Sequence, residues 1–398
     1  MNYLKKPALG IIFSTIFIDL MGFGILIPIL PSFSSKILGI SDFSIGIVIA
    51  VYSFLQFLFN PIFGKISDKY GRRPVILYSL FLTSMSYIIF SFSTTFFLLL
   101  ISRIIAGFGG SNIGAAQAYI ADITAPHERA KGMGLIGAAF GLGFLFGPLI
   151  GGYLSTFGYE IAGFAAAGFS FIAFIFAYFF LPESLKEKKD QTKISIKLID
   201  FNYTAKVLSR MPLGLFVTLF FIIVFSMANI YGTFALLTLK VYHLNDQQTG
   251  YMYGIIGLIG AIVQGGLIRK LSEKFSDMTL VRYGMILMII GLSLLPFGGT
   301  ITGLAIVTII LAVGTGILQP TVLSLVSKFS PENEQGSILG VNQSLASLGR
   351  VLGPLWGGFS YDFLGYQFPF LTGAFTTLIT FLLITSVFKK YIKHGDAI

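Results

Sequence analysis

The sequence predicts an all-α integral membrane protein of twelve transmembrane helices arranged as two pseudo-symmetric six-helix bundles. Three observations carry this reading: a series of long apolar runs, a one-sided distribution of Lys and Arg, and a glycine-proline pattern written twice. Hydrophobic residues make up 55% of the 398 and charged residues only 11%, where soluble domains carry about 25% charged residues. A soluble core has no room for so many apolar stretches, whereas a hydrocarbon layer about 30 Å thick asks for helices of about 20 residues. Runs of that kind fall at 9–30, 44–63, 75–93, 96–120, 133–155, 161–181, 213–239, 249–268, 279–297, 301–326, 336–358 and 366–388.

The first run follows Lys5 and Lys6 and continues past Pro28 with no small-residue cleavage site. It therefore reads as a first helix and not as a removed leader. The longest polar interruption, Pro182 to Met211, lies between the sixth and seventh runs and holds Lys186, Lys188, Lys189, Lys193, Lys197, Lys206 and Arg210. The expected organisation is an N-terminal six-helix bundle over 1–181, a linker over 182–211 and a C-terminal six-helix bundle over 212–398. Sorted by alternate loops, 23 of the 27 Lys and Arg residues fall on the side of the N-terminus, two fall opposite (Lys36 and Lys240) and two inside helices (Arg103 and Arg350). Such an excess marks the cytoplasmic face. Both termini and the linker are thus expected in the cytoplasm, with the chain in the inner, or plasma, membrane. One missed or invented span would scramble this alternation.

The halves repeat each other. Gly143, Gly147, Pro148, Gly151 and Gly152 recur 206 residues later as Gly349, Gly353, Pro354, Gly357 and Gly358, and Gly134 recurs as Gly340. The loop Lys65-Ile66-Ser67-Asp68-Lys69-Tyr70 is echoed by Lys270-Leu271-Ser272-Glu273-Lys274-Phe275. General glycine richness of membrane helices does not reproduce a shared offset.

Several function classes are disfavoured. Cysteine is absent, and His127, His243 and His394 all fall in loops or the tail, so disulfides, thiolate metal sites and cysteine nucleophiles are excluded. Neither an HExxH zinc motif nor a GxxxxGK[ST] phosphate loop occurs, and neither an enzyme nor a bound cofactor is expected. The net charge of +10 calls for a nucleic-acid partner only if it forms a basic patch on a folded surface; here the charges sit between apolar runs. A receptor would append a soluble domain, and the linker is too short for one.

Motifs narrow the reading further. Gly64-Lys65-Ile66-Ser67-Asp68-Lys69-Tyr70-Gly71-Arg72-Arg73 follows the second run. Gly64 can admit a neighbouring helix, Asp68 can sit beside a helix N-terminus, and Arg72 and Arg73 can bridge to cytoplasmic acids. A purely topogenic loop needs the arginines but not Gly64, Asp68 and Gly71 together. The fourth run places Arg103 after Leu99 and before Gly107 and Gly109, and the fifth holds Gly134, Gly143, Gly147, Pro148, Gly151 and Gly152. Four-residue spacing lines one helix face with small residues for close packing, and a proline can bend the span.

Together these residues resemble the major facilitator superfamily, and within it the twelve-helix drug:proton antiporter branch, over nearly the whole chain. The loop after the second run is similar to the superfamily's signature there, which implies a role in conformational locking. The fourth-run and fifth-run patterns resemble the branch's second and third signatures, and the third marks antiporters and implies export. The resemblance also implies that the fifth-run motif lies where the halves meet, opposite an eighth span carrying Gly250, Gly254 and Gly257. Repeats of this kind are common in transporters that hold substrate near the midplane. Ile18-Asp19-Leu20-Met21-Gly22-Phe23-Gly24, Pro28, Pro31 and Ala118-Tyr119-Ile120-Ala121-Asp122-Ile123-Thr124 resemble the tetracycline-resistance exporters. Those exporters carry further acids where the third and ninth runs here have none. A single carboxylate is a poor holder of a divalent cation, so no metal is expected.

A charge at the bilayer centre costs at least about 2.5–3.5 kcal/mol, which makes each such group a functional candidate. Asp19, Arg103 and Arg350 qualify. Asp19 lies about ten residues into the first run, hence about 15 Å deep, and Arg103 reaches a similar depth from the other side. No other acid lies well inside a run: Asp122 is at a helix end, and Glu160 and Asp362 are in external loops. Burial favours a protonated carboxylate and a nearby arginine favours an ionised one, so motion that changes either loads or releases a proton. Asp19 and Arg103 are therefore the proton-coupling candidates, with a static ion pair that merely fixes helix contacts as the alternative.

Arg350 shares a helix face with Gln343 and Ser347. It either recognises an anionic or carbonyl group on a substrate or satisfies the backbone around Pro354. Further cavity candidates are Tyr52 and Gln56 in the second run, Gln117 on the face of Arg103, Asn229 in the seventh, Gln264 in the eighth and Gln319 in the tenth. Each can equally serve as an interhelical hydrogen bond. Phe23, Phe140 and Tyr231 offer aromatic surface to a bulky ligand. The expected protein is a monomeric, proton-coupled exporter of a small amphipathic compound, whose partners are substrate, proton and bilayer. A carrier of a native metabolite such as a sugar, amino acid or siderophore is the alternative, and a membrane receptor a more distant one.

Overall fold

A backbone in lipid must satisfy its own polar groups, and an apolar run does so by becoming a helix. The computed structural model describes residues 5–124, 129–185, 201–331 and 334–393, and it is helical there apart from short turns. The first part holds α1 (Lys5–Lys36), α2 (Asp42–Tyr70), α3 (Arg72–Ser91), α4 (Phe96–Gly109), α5 (Ile113–Ile123), α6 (Arg129–Leu154) and α7 (Tyr159–Phe180). A short α8 (Phe201–Ser209) then precedes α9 (Leu213–Lys240), α10 (Asp246–Ile262), α11 (Ile268–Lys274), α12 (Asp277–Leu294), α13 (Ile301–Lys328), α14 (Gln335–Phe363) and α15 (Phe368–Lys393).

Among the described residues, eleven helical segments are long and apolar enough to cross a membrane, with α4–α5 and α10–α11 each forming one broken span. They match eleven of the twelve expected runs. The remaining run is the helix α14, which is long enough but carries Asn342, Gln343, Ser344, Ser347 and Arg350 and is not among the eleven. Of the expected linker over 182–211, residues 186–200 lie outside the described residues, as do the histidines His127 and His394.

Helix starts follow the sequence. Ser41, Thr95, Ser276 and Thr300 each accept a backbone N–H from the first turn of α2, α4, α12 and α13, which satisfies one otherwise orphaned donor per helix. Gly71 alone joins α2 to α3, at φ +114, a conformation that only glycine adopts without strain.

The chain divides into two compact units, Met1–Leu198 with Phe234–Leu258 and Ile199–Thr233 with Ile259–Ile398. In the first, α1 packs on α6 and α7, α3 on α4 and α7, and α2 on α4. Its apolar core has two clusters, one containing Ile12, Leu80, Tyr119 and Ile136 and the other Ile25, Ile29, Tyr87, Phe90 and Leu99. Asp19 lies on α1 between Ile12 of one and Ile25 of the other. In the second unit α12 packs on α13 and α15. There Arg210, just past α8, donates to Glu334 at 2.6 Å, and the Tyr203 hydroxyl donates at 2.9 Å. Arg210 and then Tyr203 hold the Glu334 carboxyl below its ordinary range.

The repeated glycines pack alike in both units. An added methyl at Gly143, Gly147 or Gly151 of α6 would strike α1 at Leu20, Gly24 and Ile25 respectively. At Gly349, Gly353 or Gly357 of α14 it would strike α9 at Phe225, Asn229 and Thr233 among others. The expected contact with the eighth span is made by part of the motif: Gly143, Gly147 and Gly151 seat α1, while Pro148 and Gly152 on another face of α6 meet the glycines of α10. Gly250 lies against Pro148 and Gly152, Gly254 against Leu149, and Gly257 against Leu145.

Candidate functional site

The first unit buries its one mid-span acid with care. Gly22, one turn beyond Asp19, lets α1 lie so close to α7 that a methyl there would sit 2.9 Å from the Ala166 carbonyl oxygen and 3.1 Å from Ser170 Oγ. That approach brings Ser170 within reach, and its hydroxyl donates to Asp19 Oδ1 at 2.8 Å. A second donor comes from the break between α4 and α5. Ser111 leaves helical geometry (φ −81, ψ 24), and Asn112 beside it donates from Nδ2 to Asp19 Oδ2 at 3.4 Å. Each carboxylate oxygen thus has one neutral donor.

Arg103 is 3% exposed and stands apart from that carboxylate. Its guanidinium lies 5.8 Å from the Tyr87 ring centroid and 5.6 Å from that of Phe90, a placement that replaces water with aromatic quadrupoles. Nε donates to Ser102 Oγ at 3.3 Å, while Nη2 is buried without a hydrogen-bond partner. Among the described residues no ion pair joins Arg103 to Asp19; Tyr87 lies within electrostatic reach of both. The static ion pair is therefore not the arrangement adopted, because Ser170 and Asn112 occupy the acid and aromatic rings occupy the cation.

One helical turn beyond Asp19 begins an aromatic surface. Phe23 stacks on Tyr52 with centroids 5.2 Å apart and meets Phe144 edge-on at 6.0 Å, and Phe140 lies 6.4 Å from Phe144. Gln56 donates from Nε2 to the Tyr52 hydroxyl and to the Gly110 carbonyl, both at 2.8 Å. The structure thus brings Asp19, Phe23, Tyr52, Gln56 and Phe140 into one connected region and adds Asn112, Phe144 and Ser170. Those three were missed because each looks ordinary along the chain. A signal existed for Asn112, an amide directly after Gly109-Gly110-Ser111 inside an apolar run.

In the second unit Arg350 donates from Nη2 to Ser347 Oγ at 2.9 Å, and Tyr231 lies within its electrostatic reach. Asn229 is buried in helix packing, where its amide donates to the Pro369 carbonyl at 2.6 Å. Gln117, Gln264 and Gln343 are exposed and Gln319 is half-buried.

The loop after α2 forms a charge network of its own. Arg72 pairs with Asp68 at 2.5 Å and with Asp122 at 3.1 Å, and donates from Nη1 to Ser67 Oγ at 2.6 Å. Arg73 donates from Nη2 to the Tyr178 carbonyl at 2.5 Å. The bridge from arginine to acids is present, but two details differ from expectation. Asp68 pairs with Arg72, and the N-terminus of α3 is served by Glu183, which accepts from the backbone N–H groups of Arg72 and Arg73 at 3.0 and 3.2 Å. A carboxylate there satisfies orphan donors and suits the helix dipole. At Gly64 an added methyl would meet nothing within 4 Å, so no helix makes close use of it here, whereas at Gly71 it would collide with the Glu183 carboxylate. Hydrogen bonds to charged groups are worth about 1.5–3 kcal/mol each. Arg72→Ala is therefore expected to slow transport at least about tenfold at equal membrane abundance, as initial rates will show.

The profile of the Major Facilitator Superfamily matches residues 12–354 and 271–394. The chain is 30% identical to Multidrug resistance protein 2 of Bacillus subtilis, over 99% of this chain and 97% of that one. It is 28% identical to the class H tetracycline resistance protein of Pasteurella multocida, over 97% of each. Among solved structures, the human organic anion transporter MFSD10 matches with a TM-score of 0.71 and 25% identity, over 96% of this chain and 100% of that one. A helical membrane architecture, the loop network around Arg72 and matches along its whole length agree: the chain belongs to the Major Facilitator Superfamily and is a multi-pass membrane transporter, not an enzyme.

Proposed function

We propose that the chain is a monomeric, proton-coupled antiporter that exports a small amphipathic compound by alternating access. The observation that carries this reading is Asp19. It is a buried carboxylate held by two neutral donors, Ser170 and Asn112, and among the described residues no lysine or arginine pairs with it. A carboxyl in such a setting can exchange a proton without first breaking an ion pair. The adjoining aromatic surface of Phe23, Tyr52, Phe140 and Phe144 suits a flat, bulky ligand, and relatives named for multidrug and tetracycline resistance support drug-like cargo. Arg72 and its acids act as the conformational lock, with the glycine faces of α6 as close-packed surfaces that slide or hold as units.

A second reading of the cargo has its own support. Ser347 and Tyr231 flank the Arg350 guanidinium. An anionic or carbonyl-rich substrate fits this group, and the similar MFSD10 is an organic anion transporter.

Proteoliposomes with an acidified lumen test both readings, screened with cationic, neutral and anionic compounds. Antiport accumulates substrate inside while protons leave, at up to about tenfold per pH unit for each proton exchanged. Uptake indifferent to the gradient indicates a facilitator. If the cargo is anionic, Arg350→Gln raises its KM at least about tenfold, the loss of one charge-assisted contact, and leaves cationic compounds unaffected.

A further inference from the structure

Two hairpins of the chain are built alike at their tips. Lys36 ends α1 and Asp42 opens α2; 204 residues later Lys240 ends α9 and Asp246 opens α10. Each charge suits its helix end, since cations favour C-termini and carboxylates favour N-termini. Helix-end preference explains the residue types but not the partners, because the pairs cross over. Lys240 Nζ donates to both oxygens of Asp42 at 2.7 Å, and Lys36 Nζ lies 3.5 Å from Asp246 Oδ2. The Tyr159 hydroxyl donates to that same oxygen at 2.6 Å. Both carboxylates are nearly buried, 7% and 11% exposed, while both lysines remain 40% exposed. Gly152 of the repeated motif admits this contact: a methyl there would lie 2.7 Å from the Asp246 carbonyl oxygen. All four charged residues belong to the first compact unit.

Two copies of one hairpin that meet through a twofold relation exchange partners in this way, with the lysine of each on the aspartate of the other. Lys36 and Lys240 are also the two cations that the sequence places away from the linker side, and both are committed to the exchange.

We propose that the crossed Lys36–Asp246 and Lys240–Asp42 pairs form a clasp that closes the face away from the linker and opens on each turnover. This rests on the alternating-access reading. Partly exposed ion pairs are weak enough to break repeatedly, and their burial in the closed state withdraws them from screening. While the clasp holds, access to Asp19 from that face is shut.

The cysteine-free chain makes the test direct. A Phe23→Cys reporter is treated with a membrane-impermeant thiol reagent from the clasp side. Asp42→Asn and Lys240→Gln are each expected to raise the labelling rate about fivefold. The exchanged pair, Asp42→Lys with Lys240→Asp, returns it to within about threefold of the parent, short of full recovery because the charges then oppose the helix dipoles. Equal rates in all four proteins overturn the clasp. In a second arm, oxidation of the Asp42→Cys, Lys240→Cys double variant is expected to stop transport, and reductant to restore it. Complete cross-linking with full transport also overturns the clasp. Labelling needs no substrate, so a parent that carries nothing would contradict the transport reading and leave the clasp to be judged on labelling alone.

Discussion

Asp19→Asn is expected to reduce gradient-driven accumulation from about tenfold per pH unit and proton to no accumulation, while substrate binding and folding persist. The substitution keeps the shape of the side chain, and its amide oxygen can still accept from Ser170, which donates to Oδ1 at 2.8 Å in the parent. It removes the one mid-span carboxyl of the first half, the group assigned to gain and lose the proton. Arg103 cannot substitute, because a guanidinium stays protonated. Asp19→Glu retains the titratable group but must displace Ser170 or Asn112 to fit its extra methylene, so coupling survives at a lower rate. Counterflow at zero gradient separates the outcomes: exchange of labelled for unlabelled substrate continues in Asp19→Asn if only coupling is lost.

Gly147→Leu is expected to destabilise the solubilised protein by about 1–3 kcal/mol or more, the cost of overpacking a close contact, and to abolish transport. Even a methyl at this position would lie 2.5 Å from the Gly24 Cα atom, and backbone on both sides leaves no rotamer to yield. Gly141→Ala, on the same helix, meets nothing within 4 Å. It should be neutral or stabilise by about 0.4–1 kcal/mol through the unfolded chain. Thermal unfolding of the two variants side by side separates a packing role from a general need for glycine in α6. Gly353→Leu should repeat the Gly147 effect in the second unit, where Phe225, Ala228 and Asn229 stand in place of Gly24 and Ile25.

Features written with a fixed local period were legible before any coordinates. Apolar runs gave the helices, because a span is a matter of length and composition. The 206-residue recurrence gave the equivalence of α6 and α14, but not that Gly143, Gly147 and Gly151 seat α1 or that their counterparts seat α9. Side-chain partners across helices were less legible. Nothing along the chain says that Ser170 rather than Arg103 meets Asp19, because the choice depends on how closely Gly22 lets α1 approach α7. Glu183 was passed over for a similar reason: it caps a helix that begins more than a hundred residues earlier. Asn229 read as a cavity residue, yet its amide ties α9 to the Pro369 carbonyl at the start of α15.

The central claim is that substrate and proton cross in opposite directions through Asp19, and a pH-sensitive dye sealed inside proteoliposomes tests it most directly. With no imposed gradient, a substrate pulse from outside should alkalinise the lumen as protons leave in exchange, and Asp19→Asn should show substrate entry with no pH change. Substrate entry without a lumenal pH change in the parent, or an equal pH change in Asp19→Asn, would contradict the account.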